Sequence, residues 1–166
     1  MARNNIKVIN ISGGVREYEV ASGATAILPG EPLMFTPTYT SGVSDVNTAI
    51  VLTDTKPVIG TDSFLGIASS AGTHSSSVAG VVNCIIPIPF ATLIRGAATS
   101  ATAVDTASEL TGFLFDLVVF DLTSSVYTID QAGDADTGGL RIEDGNPSKS
   151  TLDVSVDARA MRSDVA

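Results

Sequence analysis

The sequence predicts a mainly β fold, a single small β-barrel or sandwich with one short helix and an extended N-terminal arm. Three observations carry this reading. Short runs of Val, Ile, Leu and Phe are separated by frequent Gly, Pro and Ser, the punctuation of strands and turns. Several runs alternate apolar and polar residues, as a half-buried strand does. The breaks come too often for βαβ units, and no fixed-period repeat of the kind a solenoid needs is present.

The elements follow in order. Residues 1–23 read as the arm, 24–160 as the β-barrel domain and 161–166 as a C-terminal tail. In the arm, Ile6, Val8, Ile9 and Ile11 form an apolar run that Gly13-Gly14 interrupts. Val15 to Val20 then alternates, with Arg16, Tyr18 and Val20 on one face. Such a segment is expected to clasp a neighbouring subunit, the alternative being a first barrel strand. Pro29-Gly30 marks a turn before the strand Leu33-Met34-Phe35, and residues 36–47 read as a polar loop. Thr48 to Leu52 and Phe64 to Ala68 are the next strands, and Gly66 within the latter predicts a bulge or a close backbone approach.

Val78 to Ile86 is a strand that Pro87-Ile88-Pro89 ends, and Leu93-Ile94 closes a further one. Asp105 to Leu110 is the helix. Thr106 and Glu109 have capping-box spacing, and Gly112 predicts the end. Leu117 to Phe120 and Val126 to Ile129 form a hairpin across Thr123-Ser124-Ser125. Gln131 to Gly139 is an acidic loop. Leu140 to Ile142 and Leu152 to Ala158 are the last strands, the second expected to bury Leu152, Val154, Val156 and Ala158.

Composition excludes several function classes. Of 166 residues, 44% are hydrophobic and only 16% charged, against about 25% usually. Nine basic residues are scattered among eighteen acids, for a net charge of −9. Nucleic acid needs clustered Lys and Arg, so it is not expected as a partner, and neither is an anionic membrane. The most apolar stretch, Val81 to Ile94, is too short to span a bilayer and contains Pro87 and Pro89. No apolar segment follows Met1-Ala2-Arg3-Asn4-Asn5, so no secretory signal is expected. The lone Cys84 is expected as buried filler.

The chemistry-bearing motifs are few. His74 stands in Gly72-Thr73-His74-Ser75 without a nucleophile elbow or orienting acid, and reads as a solvated loop histidine. Asp134 to Gly139 has the start of a calcium loop, but Gly138 and Gly145 stand where oxygen ligands belong. Asp116 and Asp121 read as strand-end charges that discourage edge pairing. Asn10-Ile11-Ser12 matches a glycosylation sequon by chance. No catalytic residues, no metal site and no cofactor are expected.

The segment order resembles the small head-decoration (cement or head-stabilising) proteins of tailed bacteriophages. The resemblance covers residues 24–160. It rests on Ile27 to Leu33, Phe64 to Ala68, Gly80-Val81-Val82, Ile86 to Pro89, Ala103 to Leu110 and Val118 to Leu122. It implies a protein made in the host cytoplasm that binds the outside of an icosahedral shell and bridges major capsid protein subunits. It also implies a homotrimer at local threefold positions, with no catalysis. The expected capsid or subunit contacts are Ile6, Val8, Ile9 and Ile11 of the arm, and Ile86, Ile88 and Phe90. Proline cannot donate to a sheet ladder, so the latter stretch is expected to leave the barrel and run along an edge. The alternatives are a tail-tube or fibre-associated β-module, a small β-barrel enzyme or ligand-binding protein, and a bacterial surface adhesin.

Overall fold

The computed structural model describes residues 6–36, 48–51, 57–59, 64–123, 126–131 and 137–161. Eleven strands and one α-helix appear there: β1 (Lys7–Val8), β2 (Val15–Val20), β3 (Pro32–Thr36), β4 (Thr48–Val51), β5 (Phe64–Ala68), β6 (Gly80–Ile85), β7 (Ile94–Ala97), α1 (Ala107–Phe113), β8 (Leu117–Thr123), β9 (Val126–Asp130), β10 (Leu140–Asn146) and β11 (Thr151–Val156). They form two sheets, ordered β1-β7-β11-β10-β8-β9 and β2-β6-β5-β3-β4. The mainly β fold with one short helix is therefore observed.

The six-stranded sheet curls on itself. Ala98, just past β7, bridges Ile129 of β9, and the Thr99 amide donates to the Ile129 carbonyl at 2.9 Å. The enclosed core includes Phe120, Ile129, Leu140, Ile142, Leu152 and Val154. The helix adds Leu110, which packs over the bare backbone of Gly145, where a Cβ would stand 3.0 Å from Leu110 Cδ1. Thr106 caps α1. It accepts from the Glu109 amide, and the Glu109 carboxylate accepts from the Thr106 amide, completing the expected box. The helix passes through Gly112 and ends at Phe113.

The five-stranded sheet covers a second core of Val20, Ile27, Leu33, Leu65, Val82 and Cys84. Its β5 is buried on both faces. Phe64 and Ile67 enter the first core, while Leu65 and Ala68 enter the second. Strict alternation would put Phe64 and Ile67 on opposite faces. The phase changes at Gly66, beside a register shift in the β3–β5 pairing between Leu33 and Met34. Gly66 has φ 151°, and a Cβ there would overlap the Ile85 carbonyl and stand 2.8 Å from Cys84 Sγ. The bulge and close approach read from the sequence coincide at this residue.

Three expectations are corrected. The described part of the arm, 6–23, is built into the folded domain. Ile6 is 3% exposed in the first core, Lys7 and Val8 pair with Arg95 and Ile94, and all of β2 pairs with β6. The backbone groups of these strands needed partners, and the chain itself supplies them. Gly13-Gly14 is the passage from one sheet to the other. Next, β11 is buried on both faces, including Asp153 and Ser155, and Ala158 is exposed. This strand lies between β7 and β10, so its outer side chains are covered by neighbours, and the chain turns into a 3-10 segment at Ala158–Ala160. Third, His74 is half-buried. Its Nε2 lies 3.2 Å from the Ala24 carbonyl, and its Nδ1 is buried with no hydrogen-bond partner among the described residues. Its loop is held down on both sides, by Gly72 donating to Ile27 and by Thr73 donating to Val81. Residues 1–5, the tail from 162 and the acids at 134 and 136 lie outside the described residues.

Candidate interaction surface

Two connections cross between the sheets, 9–14 from β1 to β2 and 86–93 from β6 to β7. They run side by side. The Ile9 amide donates to Leu93 at 3.0 Å, and Gly13 donates to Ile86 at 2.7 Å. Asn10 grips both backbone groups across the gap: Nδ2 donates to the Ala91 carbonyl at 2.8 Å, and Oδ1 accepts from the Leu93 amide at 2.6 Å. The sequon asparagine is thus committed to the fold. The second connection turns tightly, with the Thr92 amide donating to Ile88 and the Thr92 hydroxyl accepting from the Ile88 amide.

The two stretches expected to make contacts are therefore brought together, although their residues divide. Ile6 lies in the core, and Val8, Ile9 and Ile86 are half-buried. Ile11, Ile88 and Phe90 are 60%, 38% and 47% exposed. Val15, 58% exposed, joins them at the start of β2.

Beyond Phe90 lies a group that was not singled out from the sequence. Phe115, 66% exposed, and Phe90 both carry their rings beside Arg141, whose Cζ is 6.0 Å and 5.2 Å from the two ring centroids. Strand pairing explains the meeting. The Phe90 amide donates to Val156 of β11 at 3.0 Å, the Phe115 amide donates to Ile142 of β10 at 2.8 Å, and Arg141 is in register with Ser155 and Leu117. Phe90 and Phe115 both have positive φ, and nothing local in the sequence announces that their rings meet here.

The outer face of the curled sheet around this group is a set of ion pairs. Arg95 holds Asp153 in a fork, Nε to Oδ1 and Nη2 to Oδ2, both at 2.6 Å. Arg159 holds Asp157 the same way at 3.0 and 2.7 Å, and these bonds keep the Asp157 carboxyl below its ordinary range. Arg141 Nε and the Ser155 hydroxyl converge on Oε1 of Glu143. An arginine fork suits such planar pairing better than lysine would.

The remaining sequence candidates stay apart from this face. His74 is wedged against 21–27, and Cys84 is buried in the second core, where burial pushes its thiol up to about 12. Asp116 is exposed before β8, whereas Asp121, within β8, accepts from the Thr123 hydroxyl at 2.6 Å. Among the described residues, no three His, Cys, Asp or Glu side chains gather as metal ligands, and no helix is long and apolar enough to cross a membrane. The chain matches no protein-family model and no curated protein.

Proposed function

We propose that the chain is a structural virion protein that binds the outer surface of a tailed-phage head and bridges neighbouring major capsid protein subunits. The observation that carries this reading is the exposed apolar set Ile11, Val15, Ile88 and Phe90 on and beside the paired connections. Exposed apolar residues scattered singly need no explanation, but a group of them on one rigid feature fits a contact surface. Fully burying an exposed side chain of this kind is worth about 1.5–3 kcal/mol; these four have roughly half of that still to gain, which together offsets part of the entropy lost on association. The order of segments, which resembles head-decoration proteins, supplies the partner class and the trimer. The net charge of −9 suits a protein that must not bind packaged DNA.

The test is binding to expanded empty heads of the same phage. The double variant Ile88→Asp, Phe90→Asp is expected to bind at least about tenfold more weakly than wild type, with the wild-type circular dichroism spectrum retained. Normal occupancy of heads by the double variant, or no binding by the wild-type protein, overturns the reading.

A further inference from the structure

We infer that Arg141, beside the rings of Phe90 and Phe115, is a receptor for a carboxylate on the partner, an Asp or Glu flanked by apolar side chains. This rests on the capsid-binding reading and adds the chemistry of the group bound.

The first observation is conformational. Phe90 has φ 57° and Phe115 has φ 71°, and only one other described non-glycine residue, Ser150, has a positive φ. A bulky side chain in the left-handed region is strained. Neither ring is in the core, so packing does not account for a Phe in either place. Asn or Gly would hold each turn with less strain. Both strained residues nevertheless deliver their rings to the same guanidinium.

The second observation is the state of that guanidinium. Its Nε lies 2.8 Å and its Nη2 2.7 Å from a single oxygen, Glu143 Oε1. The Ser155 hydroxyl fixes that oxygen from the other side. The remaining N–H donors of Arg141 make no hydrogen bond among the described residues. The side chain is still 35% exposed. Arginine is thus locked in orientation by one carboxylate, with donors left over beside two aromatic rings. A second carboxylate is the group that matches a planar donor edge. The neighbouring rings would shield that pair from water and strengthen it.

Charge and shape narrow the partner further. A polyanion such as nucleic acid would be repelled by a chain of net charge −9. A free inorganic anion would leave both rings uncovered. An acidic side chain in an apolar protein segment satisfies the donors and covers the rings together. Arginine and aromatic residues are also the types that dominate binding energy at protein interfaces.

The experiment measures binding of three proteins to expanded heads across ionic strength: wild type, Arg141→Gln and Phe115→Asn. Arg141→Gln is expected to bind about tenfold or more weakly. Wild-type affinity should fall between about 50 and 500 mM salt, and that fall should be largely lost in Arg141→Gln. Phe115→Asn should bind more weakly while keeping or raising the thermal midpoint, because Asn accepts the left-handed turn. Wild-type affinity in Arg141→Gln overturns the inference while leaving the capsid reading intact. A clear loss of thermal stability in Phe115→Asn overturns it too, since the ring would then serve the fold. Self-association of the wild type that Arg141→Gln abolishes would make a second copy the occupant and refute the partner assigned here. Failure of the wild type to bind heads removes the capsid reading and this inference with it.

Discussion

The core inside the curled six-stranded sheet and the core under the five-stranded sheet use similar residues but close in different ways. The first is rich in large side chains, with Phe64, Phe120, Ile94, Ile129 and Leu140 all fully buried, and its wall returns on itself through the Ala98–Ile129 bridge. The second relies on smaller residues, among them Val20, Ala49, Ala68 and Cys84. It recruits Ile27 from a connection that is not a strand, and Tyr18 meets Phe35 edge-on at its margin, centroids 5.4 Å apart. One strand serves both. Since β5 sends Phe64 one way and Leu65 the other, a defect in either core reaches the other through a single backbone segment. Alternation alone sends Phe64 and Leu65 apart; it is the return of Ile67 to the side of Phe64 that needs one interruption, and the chain places Gly66 at that point.

The largest expected effect comes from the first core. Phe120 is fully buried, its ring 5.9 Å from that of Phe64 on the shared strand. Phe120→Ala should cost about 3–5 kcal/mol in denaturant unfolding. Because β5 is common, the loss should appear equally by circular dichroism and by labelling of Cys84 in the second core. Cys84 is a suitable reporter. The thiolate is the reactive form, and burial raises its pKa to about 12, so the native protein should resist thiol reagents near neutral pH. A variant whose dichroism shifts while its Cys84 labelling does not would show that the two cores unfold separately.

A somewhat smaller effect is expected at the junction. Gly66→Ala forces a Cβ onto the Ile85 carbonyl at a φ that side chains rarely adopt. Strain and overpacking together should cost roughly 2–4 kcal/mol. This variant should speed Cys84 labelling more than its global stability predicts, since Cys84 Sγ lies on the same side of the strand. Equal changes in labelling and global stability would mean that the second core has no local opening of its own.

The smallest effect concerns the helix that covers the first core near Gly145. Thr106→Ala removes the N-cap and should cost about 1 kcal/mol, with Cys84 protection changed only as far as global stability changes. A larger loss would mean that α1 holds the barrel together rather than capping it.

Local signals suffice where local chemistry decides. The capping box Thr106/Glu109 placed α1 because the side chain and backbone it joins are three residues apart. Gly66 announced a close approach because no other residue tolerates one. The strand Phe64 to Ala68 and the hairpin of β8 and β9 were visible as apolar runs between breaks. Cys84, within an apolar run, is buried as expected.

Other features depended on which strands became neighbours. Ile6 looked like an arm residue because its partner, β7, is far along the chain. Asp153, Ser155 and Asp157 alternate with the residues expected to be buried, yet β11 lies inside the sheet, where Asp153 pairs with Arg95, Ser155 bonds Glu143, and Asp157 just beyond the strand pairs with Arg159. The contact surface divides the same way. Ile11, Ile88 and Phe90 were marked by sequence as apolar residues beside chain breaks. Their juxtaposition through Asn10, and the meeting of Phe90, Phe115 and Arg141, come from long-range hydrogen bonds and two positive φ angles. Alternation, capping and turn chemistry are short-range, so the elements and most of their buried faces follow from neighbouring residues alone. Pairing order and backbone handedness at two phenylalanines are fixed only when distant segments satisfy one another's backbone groups, which no short stretch of chain can do.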